Sequence, residues 1–406
     1  MTNPLLQDWK TPFQIAPFDQ ISDDDYEPAL EAALNSHLNE IDAITSCDFD
    51  PTFCNTIEAL EEAGSLLDRV LGVFFTVAGA DSNPTRDALQ REFSPRLAAH
   101  FSTISSNKAL FSRVATVWEN RDNFELSPEQ ARVLVLTHRG FVRAGAALEG
   151  PDDSRMKAIK SRLAVLGTQF SQNLLADEKS WYLPLGEDDL KGLPDFVIDA
   201  ARSAGLEKKS TGPVITLSRS LIVPFLQFSP RRDLREKAFL AWQARGANGG
   251  ETDNREIAAE ILALRQERAQ LLGYENFAVY KLETEMAKTP AAVRQLLMDV
   301  WEPAKAQAES DLAVLTEMMH REGVNGDLTP WDWRYYAQKR RVAEHDLDEA
   351  ALKPYFQLDR MIDAAFDCAT RLFSLEFARL DVPLYHADCR AWEVTRNGKH
   401  VAIFIG

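Results

Sequence analysis

Seven histidines and four cysteines are the residues through which this chain of 406 could hold a transition metal. A hydrolytic metal helix needs two imidazoles one turn apart, so that both face one ion, with a glutamate after the first to activate water. The residues four positions after His37, His100, His138, His320, His345, His386 and His400 are Ile41, Ile104, Val142, Val324, Glu349, Arg390 and Phe404. No H-E-x-x-H is written here. Two looser patterns remain. His345-Asp346-x-Asp348-Glu349 is explained by acids gathered at a helix N-terminus, which the helix dipole favours without a metal. His386-x-x-Cys389 supplies two donors, with Cys368 and His400 as distant partners, and reads as a packed thiol beside a satisfied histidine. No metal ligand and no catalytic residue is assigned to this chain, and its substrate-contacting residues are left unassigned.

Other signatures are missing too. There is no G-x-S-x-G, and Cys47, Cys54, Cys368 and Cys389 form no C-x-x-C pair, so they read as reduced, mostly buried thiols. The loop from Gly246 to Gly250 lacks the lysine and hydroxyl of a phosphate-binding loop and reads as a connector. Asp23, Asp24 and Asp25 stand where a helix begins, and solvated N-terminal acids explain them better than a calcium site. Trp331, Trp333, Tyr335 and Tyr336, interleaved with Asp332, Arg334, Lys339, Arg340 and Arg341, could line a groove for peptide or nucleic acid. A helix anchored in a core is the preferred reading.

The elements that must position these residues are helices. Ile159, Leu163, Leu166, Phe170 and Leu174 recur at steps of three or four, which predicts one long amphipathic helix. Ile257, Ile261, Leu264, Leu271 and Leu272 share another face, with Asn254 as N-cap and Gly273 as stop. Thr289 and Pro290 open a third helix whose stripe runs Val293, Leu297, Val300, Ala304, Ala308, Leu312, Leu315, Met319. Strands are few: residues 181–185, residues 213–217, and a hairpin of residues 391–394 and 400–405 around Asn397-Gly398. The expectation is a mainly α body in two lobes, with a small antiparallel β element at the C-terminal end. Residues 1–150 form an N-terminal helical lobe, 151–386 a long-helix lobe, and 387–406 the start of a further β-sheet.

Composition bounds the partners. With 45% hydrophobic and 26% charged residues the chain can build large cores, and at this length more than one is expected. A formal charge of −17 argues against nucleic acid and anionic membranes, which need a basic field. Residues 1–20 lack the cationic start and apolar run of a signal peptide, and the apolar stretch 71–80 reads as a buried helix segment. A cytoplasmic location is expected.

Whole phrases go further. Pro17-Phe18-Asp19, the run from Val73 to Asp81, the run from Phe228 to Lys237, and Asp253-Asn254 leading into the run from Ile261 to Arg265 come first. Leu271-Leu272-Gly273-Tyr274, the run from Trp331 to Tyr336 and the run from Leu352 to Leu358 follow in order. Together they resemble the thimet-oligopeptidase-like zinc metallopeptidases, most of all the peptidyl-dipeptidases (dipeptidyl carboxypeptidases). That resemblance implies a helical, channel-forming body that hydrolyses short peptides with zinc, and the loop from Arg245 to Asn254 favours the branch releasing C-terminal dipeptides. It covers only the N-terminal part of the family pattern, because the zinc helix, the downstream glutamate ligand and the oxyanion-stabilising Tyr and His lie beyond the segment matched by residues 401–406. Zinc is thus expected in a longer protein and not on this chain. The other reading is a truncated, non-catalytic protein that binds peptides or a partner.

Overall fold

The computed structural model describes residues 3–345 and 355–406, which pack as two compact units. Unit one comprises residues 3–149 and 355–406; unit two comprises residues 150–345. Helices dominate both.

In unit one, helix α1 (Asp23–Thr45) starts where Asp25 accepts from the Ser22 backbone N–H at 2.8 Å and its hydroxyl at 2.7 Å. A π-helical turn (Phe53–Glu58) runs into α2 (Ala59–Glu62), and α3 (Ser65–Ala80), α4 (Pro84–Ser105), α5 (Lys108–Glu119) and α6 (Pro128–Ala144) follow. By length and composition Phe53–Ala80 could cross a membrane. Its backbone, however, leaves the helix at Ala63 (ψ 139°) and Gly64 (φ 85°), and Leu67, Val70, Phe74 and Val77 are core. They pack with Tyr26, Leu30 and Phe93 of α1 and α4. A second core joins the end of α1 and the π turn to α5 and α6 through Ile41, Ile57, Leu110, Val114, Val117 and Leu134. Each such side chain contributes about 1.5–3 kcal/mol on burial.

Residues 355–406 add α15 (Leu358–Phe373) and a three-stranded antiparallel sheet of β3 (Leu375–Leu380), β4 (Ala391–Arg396) and β5 (Lys399–Ile405). Asn397 (φ 52°) and Gly398 (φ 72°) make the two-residue turn, and Arg396 pairs with Lys399. The strands of this hairpin are thus longer than predicted, and β3, unpredicted, supplies the third. Phe366 of α15 stacks on Phe377 of β3 at 4.1 Å and meets Trp392 edge-on at 5.1 Å.

Unit two begins with α7 (Gly150–Ser180), then strands β1 (Tyr182–Pro184) and β2 (Val214–Thr216), which pair antiparallel about α8 (Asp195–Glu207). Helices α9 (Arg219–Phe228), α10 (Arg232–Gln243), α11 (Arg255–Leu271), α12 (Phe277–Leu282), α13 (Pro290–Arg321) and α14 (Pro330–His345) complete it. The predicted α7 and α11 stripes meet each other: Ile159 and Leu166 pack on Leu264, with Leu163, Ile257 and Ile261 at the margin. Arg155–Glu267 and Arg162–Glu260, both exposed bidentate pairs, flank that seam, where solvent screens them.

Three local expectations are corrected. None of the four thiols is buried: Cys54 and Cys368 are exposed and Cys47 and Cys389 partly so. Asn254 sits at the N-cap of α11, yet its side chain does not cap the helix; it donates to the Phe170 carbonyl at 2.9 Å and accepts from Asn173 at 2.9 Å. The helix does stop at Gly273, where Tyr274 N–H reaches the Ala269 carbonyl and Gly273 N–H the Gln270 carbonyl, both at 2.9 Å. The α13 stripe is not core along its length. Thr289 caps the helix as predicted, but Leu297 (61%) and Val300 (60%) are exposed and only Leu315 and Met319 are buried.

Candidate functional site

The strongest concentration of buried charge lies where α10 meets the start of α14. Asp332 is fully buried and accepts from Arg232 Nε at 3.0 Å and Nη2 at 2.8 Å, from Arg235 Nη2 at 2.8 Å and from the Thr329 hydroxyl at 2.6 Å. The Thr329 backbone N–H adds a bond at 3.2 Å, so Asp332 also closes the capping box of α14. Arg235, 1% exposed, spends its remaining donors on the carbonyls of Ser229 (2.7 Å) and Trp331 (3.2 Å) and lies 4.1 Å from the Tyr335 ring centre. Burial alone would raise the Asp332 pKa; the hydrogen bonds from Arg232, Thr329 and Arg235 outweigh it and hold the group at about 2. The carboxylate spends its acceptors inside the fold, so the chemistry of this triad is structural.

A second acid, Asp177 of α7, is buried beneath the loop that links α10 to α11. It accepts from the Gly246 N–H at 2.7 Å, from Asn248 Nδ2 at 2.9 Å and from the Thr252 hydroxyl, while Arg245 pairs with the adjacent Glu178. Gly246 takes φ +68°, and a Cβ there would lie 2.9 Å from Leu174 Cδ2. The glycine-rich connector is therefore pinned, which its composition does not reveal.

The candidate metal patterns come out as follows. His386 Nδ1 accepts the Asp388 N–H at 3.2 Å, and the neighbouring Tyr385 hydroxyl bonds Cys389, which raises the tyrosine pKa. His400 stacks on Phe13 at 4.6 Å and its Nδ1 is 3.1 Å from Glu393. The three acids grouped with His345 in the sequence, Asp346, Asp348 and Glu349, lie outside the described residues. Among the described residues no group of three or more His, Cys, Asp or Glu side chains is arranged to hold a metal ion. A zinc ion does not fit the donor sets this chain presents there. Asp23 is occupied by Arg86 and Asn83, each at 2.7 Å.

The aromatic run of α14 divides its labour. Tyr336 is buried and packs with Leu315 and Met319, flanked by Trp333 and Tyr335, so the anchoring reading describes that face. The other face opens outward. Phe239 of α10, Leu312 of α13 and Leu328, Pro330, Trp333 and Arg334 line a hollow of about 510 Å³. Across Trp242 lies a second hollow of about 420 Å³, lined by Leu174, Glu178, Gln243 and Arg245.

The two stretches that meet at the triad, residues 228–237 and 331–336, are also two of the phrases on which the resemblance rests. Comparison with known proteins finds it along the whole chain: 35% identity over 412 residues with a dipeptidyl carboxypeptidase of Escherichia coli K12, covering 100% of this chain and 60% of the relative. The Salmonella typhimurium dipeptidyl carboxypeptidase is 36% identical over 413 residues with the same coverage. Residues 225–404 match the model of Peptidase family M3. The chain resembles the M3 peptidases. Oligopeptidase A of Escherichia coli K12 is also similar, at 29% identity over 400 residues, covering 97% of the chain and 58% of the relative. The chain thus spans about 60% of the length of these relatives.

Proposed function

We propose that the chain is the N-terminal portion of an M3 metallopeptidase that hydrolyses short peptides in the cytoplasm, using zinc held outside these residues, and that it releases dipeptides from free C-termini. The observation that carries the dipeptide-releasing reading is the higher identity with the two dipeptidyl carboxypeptidases, 35% and 36%, than with oligopeptidase A, 29%, across nearly the same span. In this reading the chain contributes one wall and the roof of a peptide-admitting channel, and the sheet that begins at β3 is the start of the catalytic domain. The chain's own part is selection and positioning of substrate, since it presents no metal donor set among its described residues. Neither nucleic acid nor a membrane is a partner, given the charge of −17.

Two measurements test this. Reading the frame beyond Gly406 should reach H-E-x-x-H within about a hundred residues, with an acidic third ligand one helix later. The 406-residue chain alone should retain no stoichiometric zinc after dialysis. A frame that stops directly after Gly406 with a stable cellular product would contradict the enzyme reading and support a peptide- or partner-binding protein instead.

A further inference from the structure

We infer that the outward face at the start of α14 binds the carboxylate end of a short peptide, with Arg334 holding the carboxylate and the 510 Å³ hollow beside it, which Phe239 of α10 also lines, taking an apolar side chain. The first support is the charge pattern. On a chain of net charge −17, the neighbouring arginines of unit two are matched: Arg231 by Asp189 and Asp233, Arg232 and Arg235 by Asp332, Arg245 by Glu178, Arg255 by Asp253, Arg340 by Asp311 and Glu344. Arg334 is exposed and has no carboxylate or carbonyl partner among the described residues; its guanidinium rests 5.8 Å from the centre of the Trp242 ring. A guanidinium stacked on an aromatic face is held in place with its donor edge free, the arrangement that receives a carboxylate.

The second support is the wall. Phe239, Leu312, Leu328, Pro330 and Trp333 surround the hollow, and among the described residues Arg334 is the one charged side chain lining it. Its volume falls in the range of small-ligand sites, where apolar lining with one placed polar group sets orientation. Leu312 remains 41% exposed there, so the hollow is open to an incoming side chain.

Arg245 also lies 5.6 Å from the centre of the Trp242 ring but is matched by Glu178, so the single unmatched guanidinium, Arg334, suits a monoanionic carboxylate better than a phosphate.

This site deepens the peptide-processing reading and rests on it for the class of ligand, but it requires no metal and no turnover. The test is titration of the purified 406-residue chain with N-acetyl-Phe-Leu as free acid and as C-terminal amide, followed by tryptophan fluorescence. The free acid should give a saturable change and the amide should bind at least tenfold more weakly. Arg334→Gln should weaken the acid at least tenfold, leave the amide unchanged and leave the thermal midpoint within about 4 °C of wild type, because the exposed side chain has no ion pair to lose and only its stacking on Trp242 to give up. Equal binding of acid and amide, no effect of Arg334→Gln, or no saturable response up to millimolar peptide would each overturn the proposal. Should a longer protein cleave peptides while this titration fails, the site falls and the peptidase reading stands; binding here without cleavage there upholds the site and removes the peptidase reading.

Discussion

Replacing Asp332 by asparagine removes one negative charge from between two guanidinium groups and leaves Arg235, 1% exposed, without its counter-ion. The amide keeps one acceptor oxygen, but its NH2 group must face either a guanidinium donor or the Thr329 hydroxyl, which now bonds the carboxylate at 2.6 Å. Breaking a buried pair by removing one partner costs about 3–5 kcal/mol, because the remaining charge is stranded. For a unit of about 200 residues that is a fall of roughly 6–20 °C in midpoint. The assay is thermal and urea unfolding followed by tryptophan fluorescence, since five of the eight tryptophans lie in unit two. The same carboxyl gives a pH signature. Its folded pKa, about 2, lies below the ordinary value of 3.8, so its stabilisation is complete above pH 3.8 and is lost as pH falls through that value toward 2. The gap corresponds to about 2 kcal/mol. A loss under about 1 kcal/mol for Asp332→Asn would refute the reasoning that this triad pins α14 to α10.

Three further outcomes follow from other elements. In unit one the buried rings of His37 and His100 bond each other at 3.0 Å, and burial lowers both pKa values, so the unfolded chain binds more protons below the ordinary value of 6.5; unfolding midpoints should drop as pH falls through 6.5, and a His37→Gln, His100→Gln variant should flatten that dependence. Glu40 and Asp68, the acids facing His37, oppose the shift and do not reverse it. Asp177→Asn should destabilise unit two by about 1–3 kcal/mol and speed amide exchange at Gly246, whose N–H it now accepts at 2.7 Å; unchanged exchange would contradict the pinned loop. Leu297→Glu on α13, at a site 61% exposed, should change stability by less than about 0.5 kcal/mol, whereas Met319→Ala, fully buried, should cost about 2–5 kcal/mol.

Periodicity makes the helices legible, and most clearly where two stripes meet, as Ile159 and Leu166 meet Leu264. It misleads along α13, because a stripe reports only that a helix could bury a face. Leu297 and Val300 carry the pattern without a neighbour among the described residues that covers them. The hairpin is visible because Asn397-Gly398 has one favoured backbone conformation, while β3 is not: Leu375-Glu376-Phe377 is a short alternation with no turn signal before it beyond Ser374 in the left-handed region. Asn254 has the local context of a cap, yet it bonds α7 more than 80 residues earlier in the chain. Asp332 and Arg334 stand out in the sequence only as neighbours of the aromatic cluster; that one is the centre of a buried triad and the other an unmatched guanidinium is illegible for the same reason. Their meaning lies in partners roughly a hundred residues away, or in the lack of one, and neither is encoded in local spacing.

The central claim, that these residues are the selecting portion of a dipeptide-releasing M3 peptidase, is tested most directly by product analysis on the protein read through beyond Gly406. An N-acetylated hexapeptide with a free C-terminus should lose dipeptides in succession, its C-amidated twin should be poor, and a chelator should stop both. Internal cleavage of the amidated peptide at an equal rate would contradict dipeptide release, and no cleavage of either with zinc present would contradict the peptidase itself.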